Sequence, residues 1–122
     1  VLLLVGASAC GPKTAVVTAT RADLAALESS DPALAGALAA LRERPTSAAY
    51  VRAAETFAER GVRDQALDFL TVAIRLDGRN ARAYDLRARI WRDWNLPDRA
   101  LEDVKQAVRH DPQSPEVRNT AG

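Results

Sequence analysis

Beyond Asp23 the apolar residues of this chain recur at three- and four-residue steps, the spacing of one face of an α-helix. Leu24 and Leu27 open a short stripe, and Leu34, Leu38 and Leu41 form a longer one that Pro45 closes. Asp31-Pro32 between them is a helix-start signature, because the aspartate accepts orphan amide protons and proline is preset for the first turn. The stripes then repeat: Tyr50, Ala54, Phe57, Ala66, Leu70 and Ala73 are matched 34 residues later by Tyr84, Ala88, Trp91, Ala100, Val104 and Ala107. A fixed period of this length marks a helix-turn-helix solenoid, in which each unit buries its apolar face only against its neighbours. The expected fold class is all-α.

The turns fall in the same register. Gly61 separates the two helices of the first unit, where glycine takes a positive φ at little cost, and Asn95, the next most tolerant type, holds the matching place in the second. Asp64 and Pro97 are expected to start the second helix of each unit. Leu76-Asp77-Gly78-Arg79-Asn80 corresponds to His110-Asp111-Pro112-Gln113-Ser114 at the unit ends. The pattern divides the chain into a helical hairpin or degenerate cap at 23–46, complete units at 47–80 and 81–114, and the start of a truncated third unit at 115–122. In that third unit Gly122 stands at the small position held by Ala54 and Ala88, and Val108 and its neighbours are expected to present apolar surface.

With small residues where paired helices cross and large ones beside them, each complete unit resembles a tetratricopeptide repeat. The departure is Gly78, where that family usually has proline. The resemblance implies a solenoid of two complete repeats preceded by a helical hairpin, and a non-catalytic scaffold that binds a protein or peptide on the concave face lined by the first helix of each unit.

The beginning of the chain has another character. Residues 1–9 are an apolar run ending in small side chains, shorter than the ~20 apolar residues that a membrane-spanning helix needs. They read as the remnant of a secretory signal, with a basic leader expected before Val1. Ala7-Ser8-Ala9-Cys10 resembles a bacterial lipobox with alanine in place of the usual leucine, which implies lipidation of Cys10. Two readings of this cysteine stand: it closes a truncated signal by coincidence, or it is the lipid attachment point. Residues 10–22, rich in Ala, Thr and Val without a helical stripe, suit a flexible tether. Gly11 is not the acidic residue of an inner-membrane retention signal, so the resemblance implies a periplasm-facing lipoprotein of the outer membrane.

Composition narrows the chemistry. The 122 residues suffice for one small domain, and 17 basic against 16 acidic side chains leave no global attraction for nucleic acid or an anionic membrane. A single cysteine excludes an internal disulfide and a multi-cysteine metal site. His110 stands at a helix end, where satisfying terminal carbonyls is the expected role. Asp64, Asp68, Asp98, Glu102 and Asp103 fall on helix starts or expected solvent faces, so neither a catalytic constellation nor a cofactor or metal motif is expected.

Candidate binding residues come from the first helices. Arg82, Asp85, Arg89 and Arg92 share a face in the second unit, and Val51, Arg52, Glu55 and Glu59 lie on or beside the corresponding face of the first. Such a run is either a solvated charged face or a partner site, in which guanidinium groups capture carboxylates in a bidentate manner. Trp94 is expected to plug the seam between helices, the other reading being an exposed contact. The expected function is a membrane-anchored scaffold without cofactor or metal, touching the membrane through its lipid alone. The alternatives are an accessory domain of a larger envelope enzyme, an assembly or pilotin-type factor of the outer membrane, and a cytoplasmic repeat protein whose apolar start is accidental.

Overall fold

The computed structural model describes residues 20–121, and among them every regular element is an α-helix. The helices are α1 (Arg21–Ser30), α2 (Pro32–Glu43), α3 (Ser47–Glu59), α4 (Arg63–Leu76), α5 (Ala81–Asp93), α6 (Pro97–His110) and α7 (Pro115–Ala121). Residues 1–19, with the signal remnant, Cys10 and most of the expected tether, lie outside the described residues, as does Gly122. The tether expected to run to Ala22 ends sooner. Thr20 and Asp23 form a capping box, the Thr20 hydroxyl accepting from the Asp23 N–H at 3.1 Å and the Asp23 carboxylate from the Thr20 N–H at 3.1 Å, so the first turn of α1 already contains Arg21 and Ala22.

Each helix packs on the next, and the first helices of successive hairpins also touch, α3 against α5 and α5 against α7. The core runs through the middle of this stack: Leu34, Val51, Ala54, Phe57, Ala66, Leu70, Ala73, Ala83 and Ile90 form one buried cluster, with Leu24, Leu27 and Trp94 packed against it. Trp94 is therefore a plug at the seam. Inside the first hairpin Phe69 meets Tyr50 and Phe57 edge-on, with ring centroids 5.5 Å apart in both pairs. The second hairpin is less enclosed. Ala88 and Ala107 are buried, whereas Ala100 and Val104, expected at the same depth, are only half-buried.

Local chemistry fixes the helix ends. Gly61 has φ +82° and Asn95 φ +59°, the left-handed conformation at the turn inside each hairpin. Asp31 caps α2, accepting from the N–H groups of Ala33 and Leu34. Pro97 opens α6 as expected and Asp64 lies in the first turn of α4, while the caps are Val62 and Leu96 with no side-chain cap bond. Between the hairpins, Asn80 caps α5 and also donates to the Ser47 hydroxyl at 2.8 Å. Ser47 in turn donates to the Ala73 carbonyl at 2.8 Å, so one polar chain joins the start of α3, the end of α4 and the start of α5.

A second tie crosses 29 residues of sequence: the Arg60 guanidinium donates to both oxygens of Asp31, at 2.5 and 3.2 Å. The Arg60 hydrogen bond, followed by the Leu34 amide, holds the Asp31 carboxyl below the usual aspartate range. Because the folded chain resists protonating Asp31 more than the unfolded chain does, this stabilisation is complete above the ordinary aspartate pKa and is lost as the pH falls through the lower folded-state value. Asp31→Asn keeps a good capping residue and removes the charge together with one of the two oxygens that accept from Arg60. Urea titrations followed by tryptophan fluorescence across acidic pH are expected to show a shallower loss of stability on acidification for Asp31→Asn than for the parent chain. Parallel curves for the two would contradict the tie.

Candidate functional site

Side by side, α3 and α5 enclose a groove of about 450 Å³. Arg52, Glu55 and Glu59 line it from α3, Arg82, Leu86, Arg89, Ile90 and Asp93 from α5, and Arg63 from the start of α4, with Ala54, Ala58 and Leu70 also contributing. Arg82 joins the two walls, its Nε donating to Glu55 Oε1 at 3.0 Å, and Arg63 faces Asp93 at 3.4 Å. Arg52 has no ion pair among the described residues. The groove thus combines apolar surface with one free guanidinium and several that are already paired.

Five of the eight residues expected on this face line the groove: Arg52, Glu55, Glu59, Arg82 and Arg89. The structure corrects the other three. Val51 is buried in the main core, Asp85 is buried with 0% exposure, and Arg92 is exposed but outside the groove. Helix geometry gives the reason. At 3.6 residues per turn Asp93 lies within about 20° of Arg82 around the helix, whereas Arg92 is turned about 80° to the other side. The sequence reading missed Asp93 and Leu86, although the 34-residue register maps Glu59 and Arg52 onto them.

Asp85 occupies the place that Val51 holds one unit earlier. Its carboxylate lies 3.0 Å from Arg89 Nη2 and 3.6 Å from Arg82 Nη1, ion-pair distances without the alignment of a hydrogen bond, and neither oxygen has a hydrogen-bond partner. Arg89 meanwhile holds α7, with Nε donating to the Thr120 hydroxyl at 3.1 Å. Beside it the Glu116 carboxyl is held below its usual range, chiefly by its own backbone N–H and then by the Ser114 hydroxyl, with Arg82 and Arg89 adding attraction.

Asp103, expected on a solvent face, is instead 4% exposed and fully engaged. It accepts from Arg87 Nε and Nη2, both at 2.8 Å, and from the Trp91 indole N–H at 3.0 Å. The register explains the substitution: Arg87 and Asp103 stand where the first unit has Ala53 and Phe69. A small residue paired with an aromatic ring has become a bidentate ion pair in the same space. Arg87 also lies 6.0 Å from the Tyr84 ring centroid, and His110 stacks on that ring at 6.0 Å, a ring contact in place of the expected role at terminal carbonyls.

No protein-family model matches this chain, and no curated protein matches it significantly.

The Arg87–Asp103 pair is one partner of an interchangeable set. Asp103→Ala leaves a largely buried guanidinium without its carboxylate and is expected to cost about 3 kcal/mol. The double variant Arg87→Ala with Asp103→Phe restores the first unit's combination and is expected to recover most of that loss. Chemical denaturation of the three proteins checks this, and a double variant no better than Asp103→Ala contradicts the equivalence.

Proposed function

We propose that this chain is a non-catalytic scaffold of the tetratricopeptide-repeat type, which holds a protein or peptide partner in the α3/α5 groove and is anchored to the bacterial envelope through a lipidated Cys10. The observation that carries the partner half is the groove itself. It sits where the first helices of two consecutive hairpins in one 34-residue register meet, and it offers apolar walls beside the unpaired Arg52. Leu86 and Ile90 supply area for apolar anchors, while guanidinium groups give directional hydrogen bonding to carboxylates and carbonyls. The anchoring half rests on Ala7-Ser8-Ala9-Cys10 and the apolar run before it.

Each half has its own test. In protein isolated from membranes of the native host, mass spectrometry of the Cys10 peptide is expected to show a diacylglyceryl adduct; an unmodified, soluble product would end the anchoring proposal. For the groove, the immobilised chain is offered a membrane extract, and captured proteins are cross-linked and quantified. Arg52→Glu with Leu86→Asp is expected to reduce capture of a specific partner by about tenfold, consistent with losing one to two contacts at an interface centre. Arg92→Glu, outside the groove, is expected to leave it unchanged. Equal capture by all three chains would return the groove to a solvated charged surface.

A further inference from the structure

Most of the charge around the α3/α5 groove is settled in pairs. Glu55 accepts from Arg82, Asp93 faces Arg63 at 3.4 Å, and Arg89 lies 3.0 Å from the Asp85 carboxylate. Two charges on the α3 wall stand outside these pairs. Arg52 is exposed and has no ion pair among the described residues. Glu59 is exposed as well, and among the described residues it meets Arg60 alone, at 3.9 Å, a guanidinium whose hydrogen bonds go to Asp31. Seven residues apart on one helix, Arg52 and Glu59 share a face and stand about 10.5 Å apart along its axis. Leu86 and Ile90 of α5, the register counterparts of Arg52 and Thr56, supply the apolar wall beside them. The groove therefore has one basic end, one acidic end and apolar surface along its length.

We propose that the occupant of this groove is an extended segment of a partner protein, with a carboxylate and a cationic side chain three residues apart and apolar residues between them. The inference rests on the reading of the groove as a partner site and adds the chemistry of what fits there. The carboxylate meets Arg52, the cation meets Glu59, and the apolar residues lie against Leu86. In the polyproline II conformation residues i and i+3 return to the same side and stand about 9.3 Å apart, close to the separation of the two unpaired charges. A uniformly acidic segment would bring like charge to Glu59, and a uniformly basic one would bring it to Arg52, so the two ends select together. Residues 1–19 of this chain carry one charged side chain, Lys13, and no carboxylate to offer Arg52, which favours a separate protein as the occupant.

The test titrates the full chain at low salt with end-blocked peptides, Gly-Asp-Leu-Pro-Lys-Gly and the same residues in reverse order, because the charges do not fix the direction of the segment. Amide NMR spectra are expected to show saturable shifts at Leu86 and Ile90 with at least one of the two. Replacing its aspartate by asparagine, or its lysine by glutamine, is expected to weaken binding about threefold each, the size of an exposed ion pair. In Arg52→Gln the carboxylate is expected to stop mattering while the cation still does, and in Glu59→Gln the reverse. Both positions are exposed, so circular dichroism should not change. No binding of either peptide, or the same charge dependence in all three chains, would overturn the proposal. Equal binding of the uncharged peptide, still lost in Leu86→Asp, would also overturn it yet leave the groove as a partner site. So would two other outcomes: binding that requires removal of residues 1–19, which assigns the groove to the chain's own start, or a dimer that Arg52→Gln dissociates, which assigns it to a second copy.

Discussion

Close approach of paired helices at buried alanines is the constraint on which this molecule rests. Ala54, Ala66 and Ala73 in the first hairpin and Ala88 and Ala107 in the second leave so little room at the crossings that the larger neighbours must pack to either side. Once those crossings are fixed, α3 and α5 run next to one another and the walls of the groove follow. Ala107 also packs with Tyr84 and with Val117 of α7, so the second hairpin's small residue seats the helix that follows it.

Within that frame the two hairpins fill equivalent space with different chemistry. Where the first uses Ala53 and the edge-on rings of Tyr50, Phe57 and Phe69, the second uses the Arg87–Asp103 pair, the Trp91 indole and the Tyr84–His110 stack. A buried ion pair is costly to desolvate and strongly directional, so it trades packing tolerance for a fixed geometry. Arg87 extends that geometry to Thr71 of α4, linking three helices through one guanidinium. Asp85 is the converse case, a buried carboxylate ion-paired with Arg82 and Arg89 but without an aligned hydrogen bond. The two aspartates, 18 residues apart, differ in how cations meet them: a fork of aligned donors at Asp103, and ion pairs without an aligned hydrogen bond at Asp85.

Much of this was legible from periodicity. Helix starts at Ser47, Ala81 and Pro115, the positive φ at Gly61 and Asn95, and the Asp31 cap all follow from local patterning, because turn and cap chemistry depends on residues adjacent in sequence. Arg52, Glu55, Glu59, Arg82 and Arg89 were likewise placed on the groove by helical spacing alone. Where the reading failed, at Val51, Asp85, Arg92 and Asp103, it had treated charge as a sign of exposure or taken a three-residue step for a four-residue one.

What the sequence determined by itself is therefore the repeating scaffold: which segments are helical, where they stop, and which face of each carries the alanines and aromatic rings. These properties arise within a turn or two of chain. Tertiary structure decided which polar groups lie inside. Whether an aspartate is solvated, hydrogen-bonded or only ion-paired depends on the side chains brought to it, and Arg87 reaches Asp103 in line across 16 residues while Arg82 and Arg89 approach Asp85 without an aligned hydrogen bond. Burial of charge is a property of the space between helices, and that space exists only once the helices have packed.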